Sequence, residues 1–232
     1  MSVTLEESLA TNINVPIDPV FVSQALSRDP WKQVDHVPNC RDIAVEGMRK
    51  NYVFRSDTLE FTSEQGKQDL AAIGVKTIFD LRSTAEIEAN SNPRIKGTRV
   101  QEVALTAATT PAGAPKFTAL PEVYMDMLTS HKATWTAILK HIGDDSGACL
   151  MHCTGGKDRT GVAAALILSL VVASHEDIAD EYAPSRLGIE PAREALTAKI
   201  TSLLEVPSCW DASCLLVTHL LLTSDVRAGC HS

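Results

Sequence analysis

The strongest constraint on the fold of this chain is the ten-residue segment HCTGGKDRTG at 152–161. The short apolar run ACLM precedes it, and the apolar run VAAALILSLVV follows it at 162–172. The first run is typical of a buried strand and the second of a buried helix. A strand that enters a helix through a glycine-containing loop is a building unit of α/β proteins. The unpaired amides at the start of such a helix attract anions, so the segment predicts an anion site.

Strands and helices alternate along the rest of the chain. The sequence predicts short strands at 52–54, 76–79 and 100–105, and helices at 62–73 and 122–142. Capping pairs support three helix starts; they are Thr62 with Gln65, Ser83 with Glu86, and Ser174 with Asp177. This alternation predicts an α/β fold, with a central and mostly parallel sheet flanked by helices on both faces.

The length of 232 residues is suited to one main domain. We predict an N-terminal extension over 1–33, the main domain over 34–205 and a divergent C-terminal segment over 206–232. The stretch 104–121 is rich in alanine, threonine and proline. It is interpreted either as a mobile surface loop or as a lid over the anion site, because long loops are usually one or the other.

Composition excludes several classes of function. The formal net charge of -8 argues against broad nucleic-acid binding, which requires a basic surface. The apolar tail run at 214–222 is too short to span a bilayer, and the N-terminus lacks a signal-peptide pattern. The six cysteines have neither a CxxC nor a zinc-ligand spacing, which indicates reduced thiols. We therefore expect a cytoplasmic protein without a transmembrane segment, a metal or a cofactor.

The segment at 152–161 has the groups that a phosphoryl-transfer site requires. Gly155 and Gly156 allow the backbone to curl, so that successive amides point inward as an anion-binding nest. Cys153 lies at the start of this nest, where the field that binds phosphate also favours a thiolate. Five residues separate Cys153 from Arg159, whose planar fork can hold two phosphoryl oxygens. Thr160 can donate its hydroxyl to the sulfur.

A wider set of motifs resembles one known family. HCTGGKDRTG resembles the HCxxGKDRTG signature of the atypical tyrosine/lipid phosphatases, which are cysteine-dependent. The stretches 39–43, 55–57, 74–83 and 176–182 are also similar to motifs of that family. The resemblance covers about 34–190 and implies a cysteine-phosphatase-like fold. It departs from the family at Cys40 and at Ala44-Val45.

The resemblance also assigns roles to individual residues. No Trp-Pro-Asp tripeptide, the usual source of the general acid in related enzymes, occurs here. The resemblance implies that the acid lies inside the loop at Asp158, which could instead pair with a neighbouring cation for structure. The resemblance implies that Lys157 is a second cation of the kind found in family members that accept phosphoinositides as substrates. It also implies that Thr154 belongs to the phosphate-binding loop. Asp80 and Arg82 follow a neighbouring strand, and either help to bind substrate, with Asp80 as a reserve acid, or form a structural ion pair.

The predicted function is phosphomonoester hydrolysis, of the protein-tyrosine or phosphoinositide type, through a phosphocysteine intermediate. The expected partner is a phosphorylated substrate, either a phosphotyrosine peptide, a phosphoinositide or a small-molecule phosphate. Three alternatives remain open at this point. They are a phosphatase for a small-molecule phosphate or diphosphate of secondary metabolism, a phosphate-reading protein without activity, and a rhodanese-like sulfur transferase.

We expect the polar residues of 39–42, together with Arg55, to support the loop by hydrogen bonds.

Overall fold

The computed structural model describes residues 15–105, 120–196 and 198, with the side chains of residues 120 and 121 excepted. In this part of the chain one sheet has five strands in the order β1-β2-β5-β3-β4. Strand β1 runs antiparallel to β2, and the other neighbouring pairs are parallel. The strands are β1 (Arg41–Asp42), β2 (Val53–Ser56), β3 (Thr77–Asp80), β4 (Arg99–Glu102) and β5 (Cys149–His152).

The helices lie between and after these strands. They are α1 (Pro19–Leu26), α2 (Glu64–Ala72), α3 (Thr84–Ala89), α4 (Leu120–Ser130), α5 (Lys132–Gly143), α6 (Asp158–Leu170), α7 (His175–Tyr182), α8 (Ser185–Gly188) and a 3₁₀ turn at Glu190–Ala192. The capping boxes predicted at Ser83 and Ser174 are present. The predicted pair at Thr62 is wrong by one position, because Ser63 caps α2 by accepting from the amide of Gly66.

The sheet is covered on both faces, as alternation along its strands shows. Ile78 and Leu150 point to one face, where they pack in a core that includes Leu70 of α2. Phe79 and Met151, their chain neighbours, point to the opposite face and pack in a core with residues of α5 and α6. Successive side chains of a strand alternate between faces, so each short strand contributes to both layers. The predicted α/β fold is confirmed.

Part of the predicted N-terminal extension packs against the end of the main domain. Ile17 and Val22 form a small core with Leu187 of α8. Gly188 of α8 is closely packed, since a Cβ there would lie 2.1 Å from Oδ1 of Asn39. The described residues from 15 onward are therefore continuous with the main fold.

Two predicted segments fall mostly or wholly outside the described residues. These are the stretch 104–121, apart from its ends, and the C-terminal segment 206–232. Among the helices that the structure does describe, none is long and apolar enough to cross a membrane.

Candidate active site

The site is at the carboxyl end of β5, the central strand of the sheet. Cys153 follows this strand directly, is 3% exposed, and begins the loop that ends at α6. His152 is in register with Ser56 of β2 and with Asp80 of β3. Because neighbouring parallel strands end at the same edge, residues from both neighbours can contact the loop.

The path of the loop requires glycine at one of its two central positions. Gly156 has a φ of +62°, and a Cβ there would lie 2.2 Å from the carbonyl oxygen of Ser56. At Gly155 a Cβ would meet only Leu196, at the ordinary contact distance of 3.7 Å. The sequence analysis predicted that both glycines are needed for the curved backbone of the loop. In the structure only Gly156, of these two, lacks space for a side chain.

The underside of the loop is anchored through its carbonyl groups. Arg55 donates to the carbonyl oxygens of Gly156 and Lys157 at 2.8 and 3.1 Å. The amide of Asn39 donates to the same oxygen of Gly156 at 3.1 Å. In a trans peptide the carbonyl and the following N–H point in opposite directions. Holding these carbonyls on the underside therefore turns the next amides toward the opposite side of the loop, where the sequence predicts an anion site.

A buried carboxylate holds the two arginines of this support. Glu181 of α7 accepts from Arg41 at 3.1 Å and from Arg55 at 2.6 Å. Arg41 also donates to Ser185 at 2.8 Å, which links the support to α8. The sequence motifs included Glu181 within 176–182 without giving it a role.

Asp42 has a different task from the one that the sequence predicted. Its carboxylate accepts from the amides of Ala44 and Asn51, at 3.1 and 2.6 Å, and so braces the connection between β1 and β2. The support of the loop comes from Asn39, Arg41 and Arg55.

Arg159 is held by a carboxylate that the sequence analysis treated only as a helix cap. Its two terminal nitrogens donate to Oε2 and Oε1 of Glu86 at 2.7 and 2.8 Å, in the paired geometry that suits a guanidinium. Thr154 donates to Glu86 and accepts from Arg159 at 3.0 Å. Glu86 also forms the capping box of α3 with Ser83. Thus α3 sets the position of Arg159.

The pairing affects the pKa values of both partners. Burial opposes the ionisation of Glu86, but the hydrogen bonds from Arg159 and Thr154 hold its pKa far below the usual value. Burial likewise opposes the charge of Arg159, and Glu86 raises the pKa of that guanidinium above its usual range. Both groups are therefore charged at neutral pH.

Asp158, the predicted acid, is the first residue of α6 and is partly exposed. The Tyr124 hydroxyl donates to its Oδ1 at 2.5 Å, and the Lys157 ammonium lies 3.3 Å from the same oxygen. Burial tends to raise the pKa of Asp158, but Lys157, Tyr124 and Arg159 together lower it below the usual value. Tyr124, on α4, was not singled out by the sequence analysis.

Asp80 and Arg82 form a buried ion pair beside the loop. They are 0% and 1% exposed, and Nη2 of Arg82 lies 2.8 Å from Oδ2 of Asp80. Asn92 donates to the same oxygen at 2.6 Å, and Arg82 also donates to the carbonyl of Asn90 at 2.9 Å. Of the two interpretations left open by the sequence, the geometry favours the structural ion pair over contact with substrate.

His152 lies against this ion pair. Its Nε2 is 3.7 Å from Oδ2 of Asp80, and Nδ1 is 3.2 Å from the carbonyl oxygen of Cys153. Burial lowers the pKa of His152 to about 4, so its ring is neutral at pH 7. A neutral ring in contact with the backbone of Cys153 can help to orient the loop.

Thr160 differs from expectation in its contacts. The Thr160 hydroxyl is buried and has no hydrogen-bond partner in the structure, so the expected bond to the sulfur of Cys153 is not formed. Lys157 is 8% exposed, and its ammonium lies beside Asp158. Within the described residues, no group of three or more His, Cys, Asp or Glu side chains could hold a metal ion.

The sequence and structure of the chain were compared with those of known proteins. The model of the tyrosine phosphatase family matches residues 32–223. The chain belongs to the tyrosine phosphatase family. This confirms the resemblance carried by the motifs, and the match extends past the domain boundary that we predict at 205.

Two relatives illustrate this membership. A tyrosine-protein phosphatase of Nostoc commune is 31% identical over 156 residues, which are 64% of this chain and 52% of the relative. The match therefore spans about half the length of that protein. A putative tyrosine-protein phosphatase of Cupriavidus necator is 25% identical over 193 residues, which are 75% of this chain and 70% of the relative.

Solved structures of lower similarity also match. TpbA of P. aeruginosa is 17% identical, with a TM-score of 0.38 and coverage of 84% of this chain and 99% of TpbA. The core catalytic domain of the PP-IP phosphatase SIW14 from S. cerevisiae is 16% identical, with a TM-score of 0.35 and coverage of 76% and 100%.

Proposed function

We propose that this chain hydrolyses phosphomonoesters through a phosphocysteine intermediate on Cys153. The observation that carries the proposal is the loop itself, with Cys153 at its start and the ion-paired Arg159 at its end. Its underside carbonyls are anchored, which directs amides toward a bound anion. Membership of the tyrosine phosphatase family supports the same chemistry.

The reaction has two steps. In the first, the sulfur of Cys153 attacks phosphorus, the bond from phosphorus to the ester oxygen breaks, and Asp158 gives that oxygen a proton. In the second, water attacks phosphorus, the S–P bond breaks and phosphate leaves, while the carboxylate of Asp158 accepts the proton of the water.

The other loop residues stabilise the charge of the transferred group. The loop amides from Thr154 to Lys157, together with Arg159, offer donors where negative charge develops on the phosphoryl oxygens. Thr160, near the start of α6, has a buried hydroxyl without a hydrogen-bond partner, so this hydroxyl is able to donate to the sulfur as the sulfur departs.

The surroundings of the loop support an ester of an aryl or apolar group as the substrate. A groove of about 530 Å³ is lined by Thr154 of the loop, the apolar side chains of Phe61 and Leu196, and the carboxylates of Asp57 and Glu60. Among the described residues, those that line this groove include no lysine or arginine that would bind further phosphate groups, and Lys157 is buried near Asp158. A phosphotyrosine peptide therefore fits the groove better than a multiply phosphorylated inositol lipid.

Phosphate release from wild type and Cys153→Ser tests the function. The wild-type chain should hydrolyse p-nitrophenyl phosphate and phosphotyrosine peptides in the presence of EDTA. Cys153→Ser should lose about 10³-fold or more of that activity, as when other covalent nucleophiles are removed. Cys149→Ala, which changes a buried cysteine of β5, the strand that precedes the loop, is the matched control and should remain active.

Two results would contradict the proposal. One is turnover by Cys153→Ser comparable with that of the wild type. The other is loss of wild-type activity on chelation and its return with magnesium. A higher rate on a multiply phosphorylated inositol lipid than on the peptide would overturn only the assignment of substrate. The predicted cytoplasmic location stays a prediction.

A further inference from the structure

One contact ties the proposed acid to a separate helix. Tyr124 of α4 donates its hydroxyl to Oδ1 of Asp158 at 2.5 Å. Helix α4 packs directly on α6, of which Asp158 is the first residue. A hydroxyl that donates to a carboxylate forms a short, charge-assisted bond, which fixes direction as well as distance. The rotamer of Asp158 is thus set from outside its own loop.

The two oxygens of Asp158 have different surroundings. Both the Tyr124 hydroxyl and the Lys157 ammonium approach Oδ1, at 2.5 and 3.3 Å. Among the described residues, none donates a hydrogen bond to Oδ2. A proton on Oδ1 would face two donors, so the protonated form of Asp158 has its proton on Oδ2. The side chain is 43% exposed, which leaves it accessible to a substrate.

We propose that Tyr124 is a positioning residue for the general acid, holding Oδ1 of Asp158 so that Oδ2 delivers the proton to the ester oxygen. The proposal rests on the phosphatase function proposed above. In the step, the Oδ2–H bond breaks and a bond from that proton to the ester oxygen forms, while the Sγ–P bond forms and the P–O bond breaks.

Tyr124 keeps its own proton throughout. Burial raises the pKa of Tyr124, and the charge of Asp158 and the hydroxyl of Tyr182 raise it further. The hydroxyl therefore donates to Asp158 when that carboxyl is ionised and also when it is protonated.

Loss of the Tyr124 hydroxyl changes the pKa of Asp158 in a definite direction. The groups that face its carboxyl are Lys157 and Arg159 of the loop and Tyr124 of α4, while Tyr182 of α7 acts on Tyr124. A hydrogen bond to the charged form favours that form, so loss of the Tyr124 hydroxyl raises the pKa of Asp158.

Tyr124→Phe tests the proposal, because it removes the hydroxyl and keeps the ring. Hydrolysis of an alkyl phosphate, whose leaving group needs a proton, should fall about 10-fold or more. Hydrolysis of p-nitrophenyl phosphate, whose leaving group departs as an anion, should fall much less. The basic limb of the pH–rate profile for the alkyl substrate should move to higher pH. In the Asp158→Asn background, Tyr124→Phe should cause little further loss.

A second measurement needs no turnover. Titration of the Asp158 carboxyl by ¹³C NMR should place the wild-type pKa below the ordinary value of about 3.9 and the Tyr124→Phe value above the wild-type one. Tyr52→Phe, at a buried tyrosine that contacts Arg49 instead of the loop, is the matched control and should leave that pKa unchanged.

The possible outcomes distinguish the positioning role of Tyr124 from the proposed phosphatase function. Equal slowing of both substrates, or an Asp158 pKa that Tyr124→Phe leaves unchanged, would overturn the role of Tyr124 in an active enzyme. Absence of phosphate release by the wild type would overturn the proposed function and the catalytic role of the pair together.

Discussion

At the scale of single residues, the position of Arg159, the arginine that we propose binds phosphate, depends on a carboxylate outside the loop. Glu86 receives two hydrogen bonds from Arg159 and one from Thr154, and it caps α3. A guanidinium that is bound along one edge retains its remaining N–H groups for a ligand. Glu86 therefore orders Arg159 before any phosphate arrives.

Glu86→Gln should weaken phosphate binding while leaving the chain folded. Glutamine accepts one hydrogen bond where the carboxylate accepts two, so Arg159 loses its paired contact and its order. We expect kcat/KM to fall about 10-fold or more, with a higher inhibition constant for inorganic phosphate, as for other charged partners left unpaired. Steady-state kinetics measure both quantities. Glu88→Gln, at an exposed position of the same helix, is the control and should change neither.

At the scale of elements, the loop is shaped by the strand beside it. The close approach of Gly156 to the backbone of Ser56 leaves no space for a side chain, and its φ of +62° is unfavourable for other residues. Arg55 of the same strand then holds the loop carbonyls. One short strand therefore supplies both the steric limit and the anchor of the loop.

Gly156→Ala should destabilise the chain, whereas Gly155→Ala should not. A Cβ that meets a backbone oxygen at 2.2 Å forces the loop away from β2, and left-handed strain adds about 1–3 kcal/mol. We expect a loss of several kcal/mol in the free energy of unfolding, measured with urea. Gly155→Ala should change this quantity by less than about 1 kcal/mol. Equal losses for both variants would show that the loop constrains both glycines alike.

At the scale of the whole molecule, buried carboxylates hold the sheet, the helices and the N-terminal segment together. Asp80 pairs with Arg82 at the end of β3, and Glu181 binds the support arginines from α7. Glu190 accepts from the amide of Ile17 and pairs with Arg186. The contacts of Glu181 with the support arginines and of Glu190 with Ile17 join parts of the chain that are far apart in sequence. The ion pairs require ionised carboxylates.

Acid should therefore destabilise the folded chain. Burial tends to raise the pKa of Asp80, but the hydrogen bonds from Arg82 and Asn92 lower it below the usual value. A lowered folded-state pKa gives stability that is present above the unfolded value of about 3.9 and is lost as the pH falls through the folded value. Urea denaturation should show little change from this source between pH 7 and 5, and an increasing loss at pH values of about 3.5 and 2.5.

A substitution at Asp80 gives the matched comparison. Asp80→Asn should cost about 3–5 kcal/mol at pH 7, because Arg82 is left buried without its partner, and should make stability less dependent on pH. Asp144→Asn, in an exposed pair with Lys140, should cost at most about 1 kcal/mol. An unchanged pH dependence in Asp80→Asn would contradict the assignment of acid sensitivity to this pair.

The strand-loop-helix unit and the layered fold could be predicted because they depend on local patterns. Apolar runs mark the strand and helix, and the spacing from Cys153 to Arg159 is visible in the sequence. The partners Glu86, Tyr124 and Glu181 could not be assigned, because their contacts join residues 73, 34 and 126 positions apart. The sequence analysis treated Glu86 only as part of the capping box of α3, although the same side chain also binds Arg159.

The packing of Gly188 limits how this chain can vary by mutation. A methyl group there would reach Asn39, whose amide holds the loop, and also Trp31 at 2.7 Å. Position 188 is outside the 152–161 motif, in a helix of 4 residues. Even so, the smallest possible enlargement of its side chain should displace a support of the loop. A search for inactivating variants confined to 152–161 would therefore miss this position.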